Sequence, residues 1–290
     1  MRYVIIIILL TLIGSVNGQN KGYKATRNES HQFRANNIQK IDINVQNAHI
    51  TINECAGEFI QINIKVEVKD NIKSNVDREI DWLKCFVEKH KSEVIISNSV
   101  VLPKGLKQSP QCKHITYIEI FLPNIEMLKV KLNVGSLELE NIHSNINFQA
   151  KLCKVKFNNC ALDGELNQTL GETNISNSII NGNYYFANVI AKLEKVEGTF
   201  DLDATDSKIN VIPKNNNYVF RWKLLRSETN WVTTASIIPN ITFEMNKSSL
   251  NLPEFMNKQN IKSQYSTQNK AVNSVFQLSA ESSFINIYNN

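Results

Sequence analysis

The middle of this chain repeats every eighteen residues, and that period constrains the fold more than any other feature. Counting from Leu139 in steps of eighteen gives Phe157, Ile175, Leu193 and Val211. Two parallel tracks run Leu137, Val155, Thr173, Ala191, Ile209 and Val130, Phe148, Leu166, Tyr184, Leu202. A register held through five copies calls for one structural unit stacked on itself, each copy burying its apolar side against its neighbours. Within a copy the apolar residues alternate, the mark of strands showing one face to a core. Val130, Leu132 and Val134 alternate, parity slips at Gly135-Ser136, Leu137 and Leu139 continue, and parity slips again at Glu140-Asn141 before Ile142. A one-residue slip turns the chain, so each copy reads as a coil of short strands with at least two corners. The expected fold is all-β: a parallel, β-helix-like β-solenoid of about eighteen residues per coil, preceded by an N-terminal β-rich region. A meander of hairpins also alternates, but it needs neither one fixed length nor corners at matching places.

Composition agrees. Isoleucine suits strands, and asparagine tolerates the left-handed backbone of corners. With only 10 glycines, many corners fall to Asn, Asp and Ser. The net charge of +5 is spread as alternating signs, as in Lys65-Val66-Glu67-Val68-Lys69-Asp70. That is a solvated sheet face rather than the clustered footprint of a nucleic-acid binder. Five Asn-x-Ser/Thr triplets begin at Asn28, Asn167, Asn174, Asn240 and Asn246, a number that chance supplies in so asparagine-rich a chain.

The N-terminus points to export. Arg2 precedes an apolar run over residues 4–13 and the small or polar residues Gly14 to Gly18. This is the layout of a secretory signal peptide with cleavage after Gly18. The run is shorter than the roughly 20 residues a membrane-spanning helix needs, so no transmembrane anchor is expected. The expected localisation is exported: periplasmic, cell-surface or secreted. Five cysteines in an exported chain permit disulfides and leave at least one thiol over. Cys85 and Cys112 flank the long polar loop at 97–113 and are the first choice for a bridge, with Cys55 as the alternative partner. Cys160 occupies an apolar slot held by Ile142 and Val196 in other copies and reads as a buried thiol. No cysteine pair has two-residue spacing and the histidines are scattered, so no metal or cofactor is expected.

The expected organisation is a signal peptide at 1–18, a polar unstructured lead-in at 19–36, and one solenoid domain at 37–290. Within that domain lie N-terminal strands at 37–124, regular coils at 125–213, a non-repeating insert at 214–273 and a closing coil at 274–290. Strand-like segments occur at Ile41-x-Ile43-x-Val45, Ile50-x-Ile52, residues 60–68 and residues 115–122. Val76, Ile80, Leu83 and Val87 have helical spacing, and a short helix is expected to run into a hairpin around His90-Lys91-Ser92. At the end, Ala280-x-x-x-x-Ile285-Asn286-Ile287 matches Ala204-x-x-x-x-Ile209-Asn210-Val211.

Three stretches carry a family resemblance: IDINVQNAHITI at 41–52, ITYIEIFLPNIEMLKVKLNVGSLELENI at 115–142, and FQLSAESSFINIY at 276–288. With these the chain resembles the putative adhesin β-strand-repeat (toastrack-like) family of bacterial envelope proteins, a domain of unknown function, over roughly residues 38–288. Members carry a Gly-x-Gly-Asp turn between paired short strands. Here that turn is eroded to NVGSLEL, LGETNI, ATDSKINV and AESSFINI. The motif is a turn rule, so it transfers no catalytic residue. The resemblance implies an exported solenoid with an adhesive or structural role.

Three functions compete. A polysaccharide-acting β-helix enzyme needs clustered acids on one exposed face, and the nearest cluster is Asp201, Asp203 and Asp206 beside Glu197; ordinary surface accounts for it better. No serine or cysteine nucleophile has a histidine in a recognisable motif. A binding module finds its candidates in Tyr218, Trp222 and Trp231, although alternation of Tyr218, Phe220 and Trp222 also describes a core-facing strand. A structural role would set the long surface against envelope proteins or surface glycans. The expectation is a non-enzymatic, adhesin-like protein with a binding or structural role at the cell envelope.

Overall fold

The structure, a computed structural model, describes residues 22–106, 109–233, 240–252, 264–267 and 274–289. Seventeen strands among them join one mixed sheet that does not close on itself. The N-terminal strands are β1 (Tyr23–Arg34), β2 (Lys40–Glu54) and β3 (Phe59–Asp70). A helix, α1 (Lys73–Glu79), leads to the hairpin β4 (Leu83–His90) and β5 (Glu93–Val100), and then to β6 (Lys113–Leu122). The long strands are β7 (Met127–Glu140), β8 (His143–Asn158), β9 (Ala161–Ser176), β10 (Ile179–Thr205) and β11 (Lys208–Leu225). Six short ones follow: β12 (Glu228–Thr233), β13 (Asn240–Asn246), β14 (Ser249–Asn251), β15 (Gln264–Thr267), β16 (Val275–Glu281) and β17 (Phe284–Asn289).

Strands β2 and β7 to β11 pair in parallel, and the eighteen-residue tracks are their rungs. Leu139 pairs with Phe157, Phe157 with Ile175, Ile175 with Leu193 and Leu193 with Val211. All five are buried at 2 % exposure or less. The sheet is not purely parallel, however: β1–β3, β3–β6, β4–β5 and β13–β15 are antiparallel. Eighteen-residue repetition governs only the middle of the chain, and the flanking segments return by hairpins and longer connections.

Parity slips where single residues adopt a left-handed backbone. One column of corners holds Asn47, Val134, Leu152, Leu170, Asn188, Asp206 and Arg226, and a second holds Asn141, Asn159, Asn177 and Lys195, with φ between 49° and 63°. Asparagine is at home there, whereas Val134, Leu152 and Leu170 pay a steric penalty. Asn159 Nδ2 donates to Asn141 Oδ1 at 2.7 Å, linking one corner to the next. Past the other corner, buried serines satisfy the backbone. Ser207 N–H donates to Ser227 Oγ at 3.1 Å and Ser227 N–H to Ser283 Oγ at 3.0 Å, while each of these hydroxyls donates to the carbonyl two residues before it. Buried N–H groups with no partner would be costly, and this ladder supplies one after the corners at Asp206 and Arg226. Cys160 sits in its apolar slot at 3 % exposure, as expected of a small hydrophobe.

Two expectations are corrected. Residues 23–34 form strand β1, paired antiparallel with β3 throughout, rather than an unstructured lead-in. Its alternation is between exposed and half-buried residues, many of them polar, because a sheet-edge strand buries only one side and that incompletely. The insert at 214–273 is also not wholly non-repeating: the eighteen-residue register does end near Pro213, but the pairing continues at a longer spacing. Ile190 pairs with Lys208, eighteen residues on, but Gly198 pairs with Tyr218, twenty on, with irregularities between Glu194 and Gly198. Two extra residues are absorbed there, and the twenty-residue frame continues from Lys208–Glu228 to Val211–Trp231. Beyond it, β16 pairs with β11 and β17 with β12, which explains the match of 280–287 to 204–211: Ala204, Leu224 and Ala280 are successive rungs.

Candidate functional site

Alternation puts every second residue of β10, β11, β16 and β13 on the outer face, and the pairing aligns these into rows. Asp201, Arg221, Gln277 and Thr242 form one row; Asp203, Lys223, Ser279 and Glu244 form the next, two residues further along each strand. Asn183 and Tyr185 border them, and a groove of about 490 Å³ lies over the rows. The expected acid cluster therefore does face outward, but most of it is paired. Asp201 accepts from Arg221 Nε at 2.6 Å, and Asp206 accepts two bonds from Arg226 at 2.7 and 2.6 Å. Glu197 accepts from Lys214 at 2.8 Å and Asn215 at 2.7 Å. The hydrogen bond from Arg226 holds the Asp206 carboxyl below its usual range, and that from Lys214 does the same for Glu197. Such groups are poor proton donors.

Asp203 differs. It stands opposite Lys223 on the ladder, yet neither side chain makes an ion pair or hydrogen bond within the described structure. The same holds for Glu244, Gln277, Thr242, Ser279, Asn183 and Tyr185 around the same groove. Elsewhere on the outer face some neighbouring rungs pair, as in Lys154–Glu172 at 3.2 Å, Lys208–Glu228 at 2.9 Å and Lys129–Asp42 at 3.0 Å, while others, such as Glu138 opposite Lys156, do not. Among the described residues no three His, Cys, Asp or Glu side chains converge as a metal site would require.

The aromatic candidates lie on the other side of the sheet. Tyr218, Trp222 and Trp231 are 5 %, 2 % and 0 % exposed, so they are core rather than a ligand platform. Tyr218 stacks on Phe220 at 4.4 Å, and Phe276 sits edge-on to Trp222 at 5.1 Å and to Trp231 at 4.3 Å. Burial pushes the Tyr218 phenol pKa well up. In-register pairing of β11, β16 and β12 with β17 drives these rings inward, as their alternation implied.

Cys85 and Cys112 are both free thiols, as are the other three cysteines, and the structure does not join them. Burial pushes the Cys85 thiol up to about 11 and the Cys112 thiol up to about 12. The Cys112 backbone N–H donates to the buried Glu79 carboxylate at 2.9 Å, which ties the start of β6 to α1. The structure also brings together a pair that sequence spacing concealed: His49 Nδ1 and Ser136 Oγ lie 2.6 Å apart, beside Tyr117. No further hydrogen bond orients this imidazole among the described residues, so the pair lacks the third member of a nucleophile relay. The groove side chains Lys223, Glu244 and Gln277 were likewise missed. The legible signal was the complementarity of Asp201 and Asp203 with Arg221 and Lys223, twenty residues later. The proposed cleavage site after Gly18 lies outside the described residues, and no described helix is long and apolar enough to cross a membrane.

No protein-family model matches the chain, and no curated protein matches it. Among solved structures it is similar to a "putative lipid binding protein" from Parabacteroides distasonis, at 11% identity over 90% of this chain and 96% of that one, with a TM-score of 0.44. It is also similar to a "putative adhesin" from Bacteroides fragilis, at 12% identity over 90% and 97%, TM-score 0.38. A third is a "putative cell adhesion protein" from Clostridium sporogenes, at 12% identity over 92% and 100%, TM-score 0.26.

Proposed function

We propose that this chain is an exported, non-enzymatic, adhesin-like β-solenoid whose outer-face groove over β10, β11, β16 and β13 binds a polar ligand at the cell envelope. In this reading residues 1–18 are a signal peptide, residues 125–213 are coils of about eighteen residues, and the later strands continue the stack. The partners are envelope proteins or surface glycans. One observation carries the proposal: Asp203, Lys223, Glu244 and Gln277 line one concave stretch of about 490 Å³, and their side chains make no hydrogen bond or ion pair within the described structure. Unpaired donors and acceptors held on a rigid sheet are what a ligand can bind without first breaking protein contacts. A non-enzymatic role fits because Asp201, Asp206 and Glu197 are each held by a cation or amide. The two unpartnered carboxyls, Asp203 and Glu244, stand three strands apart in their row. That strand-to-strand separation of about 14 Å exceeds the ~5–9.5 Å of paired glycosidase carboxyls.

The test is binding of purified residues 19–290 to intact cells and to isolated cell-wall material. The double variant Lys223→Ala/Glu244→Ala should lose binding while unfolding at an unchanged temperature, since both side chains are exposed. Undiminished binding in the folded double variant, or polysaccharide turnover that depends on Asp203, overturns the proposal.

A further inference from the structure

The chemistry of the groove narrows its ligand, granted the reading that the groove is the binding surface. Its backbone amides are engaged in the parallel ladder between β10, β11, β16 and β13, so a peptide has no free edge here to extend. Its charges nearly cancel: Asp201, Asp203 and Glu244 face Arg221 and Lys223, interleaved rather than segregated. A polyanion needs a basic excess and a polycation an acidic one, and neither finds it. Among the described residues the only large apolar side chain exposed at the rim is Tyr185, at 43 %, too little to hold an acyl chain.

What remains is a ligand of uncharged groups that each donate and accept. Hydroxyls do so, and they match a floor that mixes acceptors (Asp203, Glu244), a donor (Lys223) and a group with both functions (Gln277). The floor also has a period. Strands in a sheet lie about 4.8 Å apart, so a chain laid across them meets equivalent side chains at that spacing. A chain of pyranose rings repeats on a similar scale, and Tyr185 at one end offers an aromatic edge to a sugar ring. We propose that the groove takes a linear neutral glycan running across the strands, roughly one sugar per rung, with Lys223 and Glu244 as its principal polar contacts.

The experiment uses purified residues 19–290 and isothermal calorimetry. Its probes are cello-, xylo- and chito-oligosaccharides of increasing length, with polygalacturonate, poly-lysine and anionic lipid vesicles as alternatives. At least one neutral series should bind, tightening with length until the rungs are filled and then levelling off. Affinity should change little between low and moderate salt. Lys223→Ala and Glu244→Ala should each weaken binding about tenfold, as loss of a charge-assisted hydrogen bond does, whereas Lys156→Ala, on the outer face of β8, should not. If polygalacturonate, poly-lysine or vesicles bind through Lys223 and Glu244 and no neutral series does, the glycan inference falls while the groove reading stands. If a probe binds equally well to the folded Lys223→Ala/Glu244→Ala variant, the groove reading itself falls. Failure of all probes to bind overturns the glycan inference.

Discussion

Two large apolar residues in the same strand should respond in opposite directions to substitution. Phe157 is fully buried, paired with Leu139 and Ile175 and edge-on to Phe148 at 6.3 Å. Truncation to Ala gives up about 150 Å² of apolar burial, worth about 4 kcal/mol at ~25 cal/mol per Å². That lies within the range of about 3–5 kcal/mol seen when buried aromatics are cut back. Leu152 is 52 % exposed and sits at a corner with φ of 57°. A left-handed backbone costs a residue such as leucine about 1–2 kcal/mol, and asparagine less. Asn47 and Asn188 already occupy this corner column. Leu152→Asn should therefore stabilise the fold by about 1 kcal/mol. For a chain of this size about 1 kcal/mol moves Tm by roughly 2–4 °C, so Phe157→Ala should melt about 8–16 °C lower and Leu152→Asn a few degrees higher. Thermal and urea unfolding followed by circular dichroism measures both. A Leu152→Asn variant that loses as much stability as Phe157→Ala would refute the corner assignment, because both residues would then be core.

Other outcomes follow from single contacts. Glu67 is buried under Lys24 at 2.9 Å, Lys65 at 2.6 Å and Lys69 at 3.4 Å, and their hydrogen bonds, Lys24 foremost, lower its pKa from 4.5 to about 2. Its contribution is present above about pH 4.5 and lost as pH falls through about 2. Screening by solvent around the exposed lysines leaves it on the order of 2 kcal/mol. Stability measured against pH should thus lose part of its acid-side slope in Glu67→Gln, and an unchanged slope would contradict the clamp. Asn230 donates to Asn210 at 2.8 Å and accepts from Asn286 at 2.9 Å, so Asn230→Leu should cost about 1–3 kcal/mol by chemical denaturation; a neutral change would mean that this ladder does not form. Thiol alkylation of the unreduced native protein should leave Cys112, Cys153 and Cys160 unmodified until unfolding, and a Cys85–Cys112 bridge found by peptide mapping would contradict the structure.

What was legible in the sequence was whatever repeated. The Leu139 to Val211 column could be read because each rung buries one residue at a fixed interval. The parity slip read at Glu140-Asn141 falls on left-handed Asn141, whereas the one read at Gly135-Ser136 comes just after its left-handed residue, Val134. Alternation had grouped Val134 with the inward residues, and it is 45 % exposed. A short helix and the hairpin turning at Lys91 were visible, although of the helically spaced Val76, Ile80, Leu83 and Val87 only Val76 lies within the helix, and Leu83 and Val87 belong to β4. Strand β1 was not, because its half-buried face carries Arg27, Glu29 and His31, and edge strands need little apolar patterning. The groove was hidden for a different reason. Its side chains come from four strands between Asn183 and Ser279, and the two residues absorbed near Pro213 break the count that would have aligned them. Tyr218, Trp222 and Trp231 looked like a platform only while their strand had no assigned face.

In-register parallel pairing of β7, β8 and β9, eighteen residues apart, is the central claim, and engineered disulfides test it most directly. Glu138 pairs with Lys156 and Lys156 with Asn174, all on the exposed face. Parallel neighbours lie about 4.8 Å apart, within disulfide reach, whereas residues two rungs apart are about 10 Å apart and beyond it. In a background where Cys55 and Cys85 are serine, the pairs Glu138→Cys/Lys156→Cys and Lys156→Cys/Asn174→Cys should oxidise readily. The pairs Glu138→Cys/Asn174→Cys and Glu138→Cys/Lys154→Cys should not. Efficient closure of the 138–174 or 138–154 pair, with the 138–156 pair left open, would contradict the eighteen-residue register.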